Sequence, residues 1–402
     1  MIREPFLVPC AEPVAKLPPY VFATTFKWKE EALAAGRDVV DLGVGNPDGR
    51  PDPAVVAELV RAARDPAANC HGYSTFKGHP TLRRAIAAFY ARRFGVDLDP
   101  ETETLPLIGS KEGLANLMRA YLERGDTLIL PTPCYPAYFG AARLCGAEIF
   151  EAPLRPEHGF VLRFADIPAD VARQAKMLVV NYPNNPTGGV ADLDFYREAV
   201  AWCREHRVLL VSDIAYSELG FDPDTPPPSV LQVPGAAAVA VEFQSLSKSH
   251  NMAGWRTGFA AGGAEPIATL GRVKSMVDFS LFGAVQLAAA AALTGDQQVC
   301  ADNRALYRRR RDLMVAGYRA LGWDVPSPPA TMYIWAPVPR AWAGDDFAFV
   351  REVFERTGVL LSPGSAFGRH GAGWCRTSLV ADDAGIAKVL RKLADAGLDW
   401  TA

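Results

Sequence analysis

Between residues 105 and 263, short apolar runs alternate with helical patterns, and this alternation constrains the fold more than any other feature of the chain. Thr127-Leu128-Ile129-Leu130, Met177-Leu178-Val179-Val180, Val208-Leu209-Leu210-Val211 and Val239-Ala240-Val241 show no polar alternation, so each reads as a strand buried on both faces. Ahead of the first, Lys111 to Glu123 sets Leu114, Leu117, Met118, Tyr121 and Leu122 on one helical face and stops at Gly125; between the second and third, Phe195 to Glu205 is another amphipathic segment. Such strands need helices over both faces, which predicts an α/β fold with a mostly parallel sheet. Thr81 to Phe94 predicts a further helix through Leu82, Ile86, Phe89 and Tyr90. Leu281 to Leu293, the most apolar stretch, is too short to span a bilayer and carries Gln286, so it predicts a buried helix. A basic helix around Asn303 to Arg311 then opens a second region, with Met332 to Trp335 as a strand and Arg308 to Arg311 as a solvated face. A chain of 402 residues accommodates one large domain and one smaller one. The expected division is an N-terminal arm and part of the small domain over 1–45, a large domain over 46–290, and a small domain over 291–402.

A formal net charge of -3 gives no reason to expect nucleic acid or an anionic membrane as partner, and leaves room for a small anionic metabolite. The opening Met1-Ile2-Arg3-Glu4-Pro5 starts no long apolar region, so no secretory signal is expected. The 7 cysteines are odd in number and scattered, with no Cys-x-x-Cys pair. That favours reduced thiols in the cytoplasm and argues against a zinc site.

Five features in chain order suit one site. Gly109-Ser110-Lys111-Glu112-Gly113 lies between the apolar Leu105 to Ile108 and a helix, and a helix N-terminus offers unpaired amides to a phosphate. Asn181-Tyr182-Pro183-Asn184-Asn185-Pro186-Thr187-Gly188 follows a buried strand, where open α/β sheets carry ligand loops. Asp213 ends the next strand, with Tyr216 three residues on. Ser245-Leu246-Ser247-Lys248 is followed eight residues later by Arg256. Arg376 follows Gly371 to Cys375 and precedes an expected strand over Thr377 to Val380. A lysine amine can condense with an aldehyde, while hydroxyls, an arginine and backbone amides hold a phosphate. The cofactor that is both is pyridoxal 5'-phosphate (PLP). Its ring nitrogen stays protonated beside a carboxylate, which suits Asp213, and its phenolate oxygen suits Asn185 and Tyr216. An arginine fork such as that of Arg376 matches a substrate carboxylate. Taken singly, each feature has a plainer reading: a solvated lysine, a serine cap, a tight turn or a surface arginine.

Together, Asn-x-Pro-x-Gly at 184–188, Ser-x-Ser-Lys at 245–248 with Arg256, and the distant Arg376 make the chain resemble the class I/II aminotransferases of PLP fold type I. The resemblance runs from Gly43-Val44-Gly45-Asn46-Pro47-Asp48 to Arg376. It implies a large domain with a mostly parallel seven-stranded sheet between helices and a smaller α+β domain. It implies that Lys248 bonds to the cofactor and moves the proton, Asp213 pairs with the ring nitrogen, and Tyr135 stacks on the ring. Ser110, Lys111, Ser245, Ser247 and Arg256 would surround the phosphate, with Tyr73 reaching it from the partner of a homodimer. Gly45, Asn185 and Arg376 would bind the substrate, an amino acid or 2-oxo acid. Asp213-Ile214-Ala215-Tyr216 departs from the more frequent Asp-Glu-x-Tyr but keeps both end residues. Pro19-Tyr20-Val21-Phe22, Ser110 to Gly113 and Tyr135-Pro136-x-Tyr138 most resemble N-succinyldiaminopimelate aminotransferases of lysine biosynthesis. The alternatives are aspartate, alanine, LL-diaminopimelate or aromatic substrates, or a PLP-dependent lyase on the same scaffold. A serine acylase reading of Ser245 to Lys248 fails, because its Tyr-x-Asn partner precedes the Ser-x-x-Lys motif.

Overall fold

The computed structural model describes residues 7–401 except Val21 and Ala343, so the Met1 to Pro5 opening and the Val21 of the Pro19 to Phe22 string lie outside the described residues. Its centre is a 7-stranded sheet. In spatial order the strands are Thr104–Leu107, Gly258–Gly262, Ala240–Ser245, Leu209–Asp213, Ala175–Asn181, Thr127–Thr132 and Glu148–Pro153. Gly258–Gly262 runs antiparallel to both of its neighbours, and the remaining pairings are parallel.

Both faces of the sheet are buried, as the unbroken apolar runs require. Leu178, Val180 and Leu210 pack with Phe195, Tyr196 and Cys203 of the helix Leu193–His206. Their neighbours Met177, Val179 and Val211 pack on the opposite face with Leu114, Leu117 and Met118 of the helix Ser110–Tyr121. The strand period of two thus feeds alternate residues to two separate cores. The edge strand Glu148–Pro153 escaped the sequence reading because Glu148, Ile149, Phe150 and Glu151 interleave polar and apolar residues on a partly solvated edge. Leu281 to Leu293 forms the helix Gly283–Thr294, rich in buried alanine. Among the described residues no helix is long and apolar enough to cross a membrane.

The chain's two ends meet. Val40–Asp41 pairs in parallel with Val359–Leu360, while Trp374–Ser378 pairs antiparallel with both Tyr333–Pro337 and Ser362–Pro363. Leu42 shares a core with Trp323, Ile334, Phe349 and Cys375. The strand expected over Thr377 to Val380 instead runs from Trp374 to Ser378, so Arg376 lies inside it. Past Ser378 the chain leaves the sheet: the Ser378 N–H donates to the Leu42 carbonyl, and Asp382 caps the helix Asp383–Ala394.

The register of the parallel strands sets the site. Asn181 is opposite Asp213 and Asp213 is opposite Phe243, so Asn181, Asp213 and Ser245 emerge at one edge of the sheet. In open α/β sheets this C-terminal edge is where ligands bind.

Candidate active site

A cavity of about 520 Å³ opens at that edge and gathers Gly45, Ser110, Lys111, Tyr135, Asn185, Asp213, Tyr216, Ser245, Ser247, Lys248, Arg256 and Arg376. Of the residues singled out in the sequence, Tyr73 is the one not brought to it. It is 93% exposed, with its ring centre 5.3 Å from that of Phe279.

Lys248 stands in the short helix Leu246–Ser249, which begins where the Ser245 hydroxyl accepts from the Ser247 N–H at 3.2 Å. Its Nζ donates to the Gly45 carbonyl at 2.7 Å. Burial lowers the pKa of this amine, as do the Arg376 and Arg256 charges, with Tyr333 opposing them. The shift favours the neutral, nucleophilic amine.

Asp213 is buried, and burial pushes its carboxyl pKa up to about 6. The opposing contributions are the Tyr138 hydroxyl, donating to Oδ2 at 2.7 Å, and the Ala215 N–H, donating to Oδ1 at 3.1 Å. Among the described residues no cation pairs with it, so its charge is incompletely compensated. Asn181 fixes this end of the sheet, with its Nδ2 donating to the Asp213 carbonyl at 2.8 Å and its Oδ1 accepting from the Asn185 N–H at 2.9 Å. Tyr216 and Tyr333 share a hydroxyl–hydroxyl hydrogen bond of 2.8 Å.

An anion cradle lies at the start of Ser110–Tyr121. Gly109 has φ 75°, and a Cβ there would come within 2.6 Å of Arg256 Nη2, so the guanidinium lies directly against the turn. A Cβ at Gly258 would approach the Ser110 amide nitrogen to 2.7 Å. Two small residues therefore let Arg256 and the helix N-terminus converge, with Ser245 and Ser247 beside them. Arg256 itself sits at φ 55° and donates through Nη1 to the Ala253 carbonyl at 3.0 Å.

Arg376 is 4% exposed and is paired with no carboxylate among the described residues. Its Nη1 donates to Asn185 Oδ1 at 2.9 Å and its Nη2 to the Gly43 carbonyl at 2.5 Å, while Nε has no partner. The guanidinium stands 4.3 Å from the Tyr333 ring centre and 4.7 Å from that of Phe367. A buried arginine held by neutral groups and aromatic faces retains charge for an incoming anion. Its neighbour Cys375 points the other way, into the core shared with Leu42 and Phe349.

Tyr138, Asn181 and Tyr333 were not singled out as site residues in the sequence reading, though each lies in or beside a quoted string. Tyr138 and Tyr333 resemble core aromatics, and Asn181 resembles the first residue of a turn. Only the strand register and the cavity distinguish them.

The residues present fit PLP: an amine for its aldehyde, an undercompensated carboxylate for its ring nitrogen, a cradle of amides, hydroxyls and arginine for its phosphate, and an aromatic wall at Tyr135. The sheet is that of the fold type I PLP-dependent enzymes. Within that class the chain belongs to the class I and II aminotransferases, whose family model matches residues 37–393. It is 45% identical over 382 residues to an LL-diaminopimelate aminotransferase of Dehalococcoides mccartyi, an alignment covering 95% of this chain and 97% of that one. The apo form of BacF from Bacillus subtilis superposes with a TM-score of 0.94 at 36% identity, covering 98% of this chain and 100% of that one. A probable N-succinyldiaminopimelate aminotransferase from Thermus thermophilus does so with 0.88 at 37% identity, covering 94% and 100%. The chain is therefore a PLP-dependent aminotransferase of small-molecule substrates.

Proposed function

We propose that this aminotransferase moves the amino group of a diaminopimelate-type acid to a 2-oxo acid such as 2-oxoglutarate, and that free LL-diaminopimelate suits it better than the N-succinyl form. The observation that carries the choice is the supply of charge. Among the described residues lining the cavity, the cations are Lys111, Lys248, Arg256 and Arg376. In this reading Lys111 and Arg256 face the phosphate, Lys248 the aldehyde and Arg376 the α-carboxylate. No lining cation is left for the extra carboxylate that a succinyl group brings, whereas the distal end of LL-diaminopimelate is a zwitterion. The names of the relatives at about this identity agree with a diaminopimelate substrate.

When bound, PLP supplies an electron sink that allows a substrate Cα proton to leave and the amino group to change carrier. The chain's residues do the rest. Arg376, oriented by Asn185 and by the Gly43 carbonyl, binds the α-carboxylate together with the backbone at Gly45. Lys248, its pKa lowered by burial, takes and returns the Cα proton. Asp213, oriented by Tyr138 and the Ala215 N–H, keeps the ring nitrogen protonated. Asn185 and Tyr216 would hold the phenolate oxygen, and Tyr135 would stack on the ring. Tyr73 serves the phosphate of the neighbouring subunit in a homodimer. Its exposure beside Phe279, itself 58% exposed, supports that placement. The chain divides into an N-terminal arm with part of the small domain over 1–45, a large cofactor-binding domain over 46–290 and a small domain over 291–402.

A second reading, an aromatic amino acid as donor, is favoured by the aromatic wall of Tyr20, Phe22, Phe26 and Tyr135. Mixing the holoenzyme with one donor at a time and following cofactor absorbance separates the readings. LL-diaminopimelate should convert the cofactor to its amino form at the highest kcat/KM. Phenylalanine or N-succinyl-LL-diaminopimelate outpacing it would overturn the choice, and no conversion by any amino acid would overturn the proposal.

A further inference from the structure

The segment from Gly43 to Arg50 lines the cavity with its first four residues, and its carbonyls are held at three points. The Gly43 carbonyl accepts from Arg376 and from the Ser362 hydroxyl, the latter at 2.8 Å; the Gly45 carbonyl accepts from Lys248; and the Arg50 carbonyl accepts from Asn251 Nδ2 at 3.2 Å. One of these holds cannot last through the reaction. Engaging the cofactor would draw the Lys248 nitrogen away from the Gly45 carbonyl. Gly43 and Arg50 stay held, and what then fixes the stretch between them must come from elsewhere.

The helix Gln298–Ala320 supplies it. Asn303 and Arg310 are seven residues apart and so share a helix face, and both are about 5% exposed or less. Arg310 grips the Asp48 carboxylate through both terminal nitrogens, Nη1 at 2.8 Å and Nη2 at 2.7 Å, and donates through Nη1 to the Leu379 carbonyl at 3.1 Å. A two-point fork fixes direction as well as distance. Asn303 donates to the Ser249 carbonyl at 2.9 Å and accepts from Asn251 Nδ2 at 3.0 Å, which ties it to the turn directly after Lys248. Asn251 adopts φ 56°, and a Cβ at Gly49 would come within 2.5 Å of its Nδ2. The 45–50 segment and the Lys248 turn are therefore pressed together, and one helix face holds both.

We propose that Arg310 and Asn303 are positioning residues that hold the Gly45 backbone in register with Arg376 for substrate carboxylate binding, independently of the Lys248 hydrogen bond. Neither side chain lines the cavity. The inference rests on the functional reading above, in which Gly45 and Arg376 take the carboxylate. Loss of the fork would let the 45–50 segment drift while leaving the groups around the cofactor in place.

The test uses purified holoenzyme and single-turnover conversion by the wild type's best amino donor, alongside 2-oxoglutarate binding by calorimetry. R310M and D48N should each raise the apparent dissociation constant of both ligands by about tenfold, with the limiting conversion rate within about threefold of wild type. Cofactor occupancy and absorbance should be unchanged. The double variant D48N/R310M should be no worse than either single change, because both break the same pair. R310K, which keeps charge but loses the fork, should fall between, and it tests the clamp if R310M fails to fold. Wild-type affinities in D48N and R310K would overturn the inference, as would losses of affinity, rate and cofactor occupancy in equal proportion. If the wild type itself converts no donor, the functional reading has failed; if it does and the variants match it, only the clamp has failed.

Discussion

Replacing Asp213 by Asn should make the cofactor-free protein more stable and the enzyme far slower. In the structure, burial holds the Asp213 carboxyl at a pKa of about 6. In the unfolded chain an Asp titrates near about 3.9, and a rise of about two costs ~3 kcal/mol in the folded state once the group is ionised. The sign follows from proton binding. The native state holds its proton to higher pH than the unfolded state, so this group lowers stability as pH rises from about 4 to about 6, and the penalty persists above that. Asparagine removes the penalty but keeps only one acceptor for two donors, the Tyr138 hydroxyl and the Ala215 N–H, at a cost of about 1–2 kcal/mol. The net gain for the apoprotein is ~1–2 kcal/mol at pH 8, a rise in Tm of about a degree or two, and it should vanish or reverse near pH 4. With cofactor the sign inverts, because the variant loses the charge partner of the ring nitrogen. Breaking a buried pair costs about 3–5 kcal/mol, so donor conversion should slow by roughly 10²- to 10⁴-fold. Thermal unfolding of both apoproteins at pH 4 and pH 8, with single-turnover conversion, reads both signs. An Asn variant less stable than wild type at pH 8, or converting donor within tenfold of it, would rule out, respectively, the burial penalty or the charge pairing assigned to Asp213.

Two further substitutions probe the substrate side. Arg376→Ala removes the fork that Asn185 and Gly43 orient and should lower kcat/KM for every amino donor by roughly 30- to 1000-fold, about 2–4 kcal/mol, with cofactor absorbance intact. Gly45→Ala would drive a Cβ into the Tyr333 hydroxyl; overpacking of this kind costs about 1–3 kcal/mol, visible as a lower Tm and a raised KM.

Much of this site can be read from the sequence because its parts obey local rules. Asp213 and Asn185 follow unbroken apolar strands, and the strand ends of a parallel sheet converge by construction. Ser110 and Ser245 announce themselves as helix starts. The groups that orient the reactive side chains leave no such mark. Tyr138 reaches Asp213 from a helix whose register follows from a Pro-rich turn, and Tyr333 meets Tyr216 across 117 residues of chain. Arg310 is the sharpest case: within an Arg308 to Arg311 run it reads as one more solvated cation, yet helix phase makes it 4% exposed and pairs it with Asp48 across 262 residues. The strand at Glu148–Pro153 was missed for a related reason, since an edge strand need not be continuously apolar.

We assign the cofactor's attachment to Lys248, in a cavity suited to amino-group transfer. Borohydride reduction of the purified holoenzyme, followed by digestion and peptide mass spectrometry, tests it directly. A single peptide should bear the reduced pyridoxyl phosphate, with the label on Lys248 and absent from the Lys248→Ala protein. A label on Lys111 or another lysine, or none at all, would contradict it.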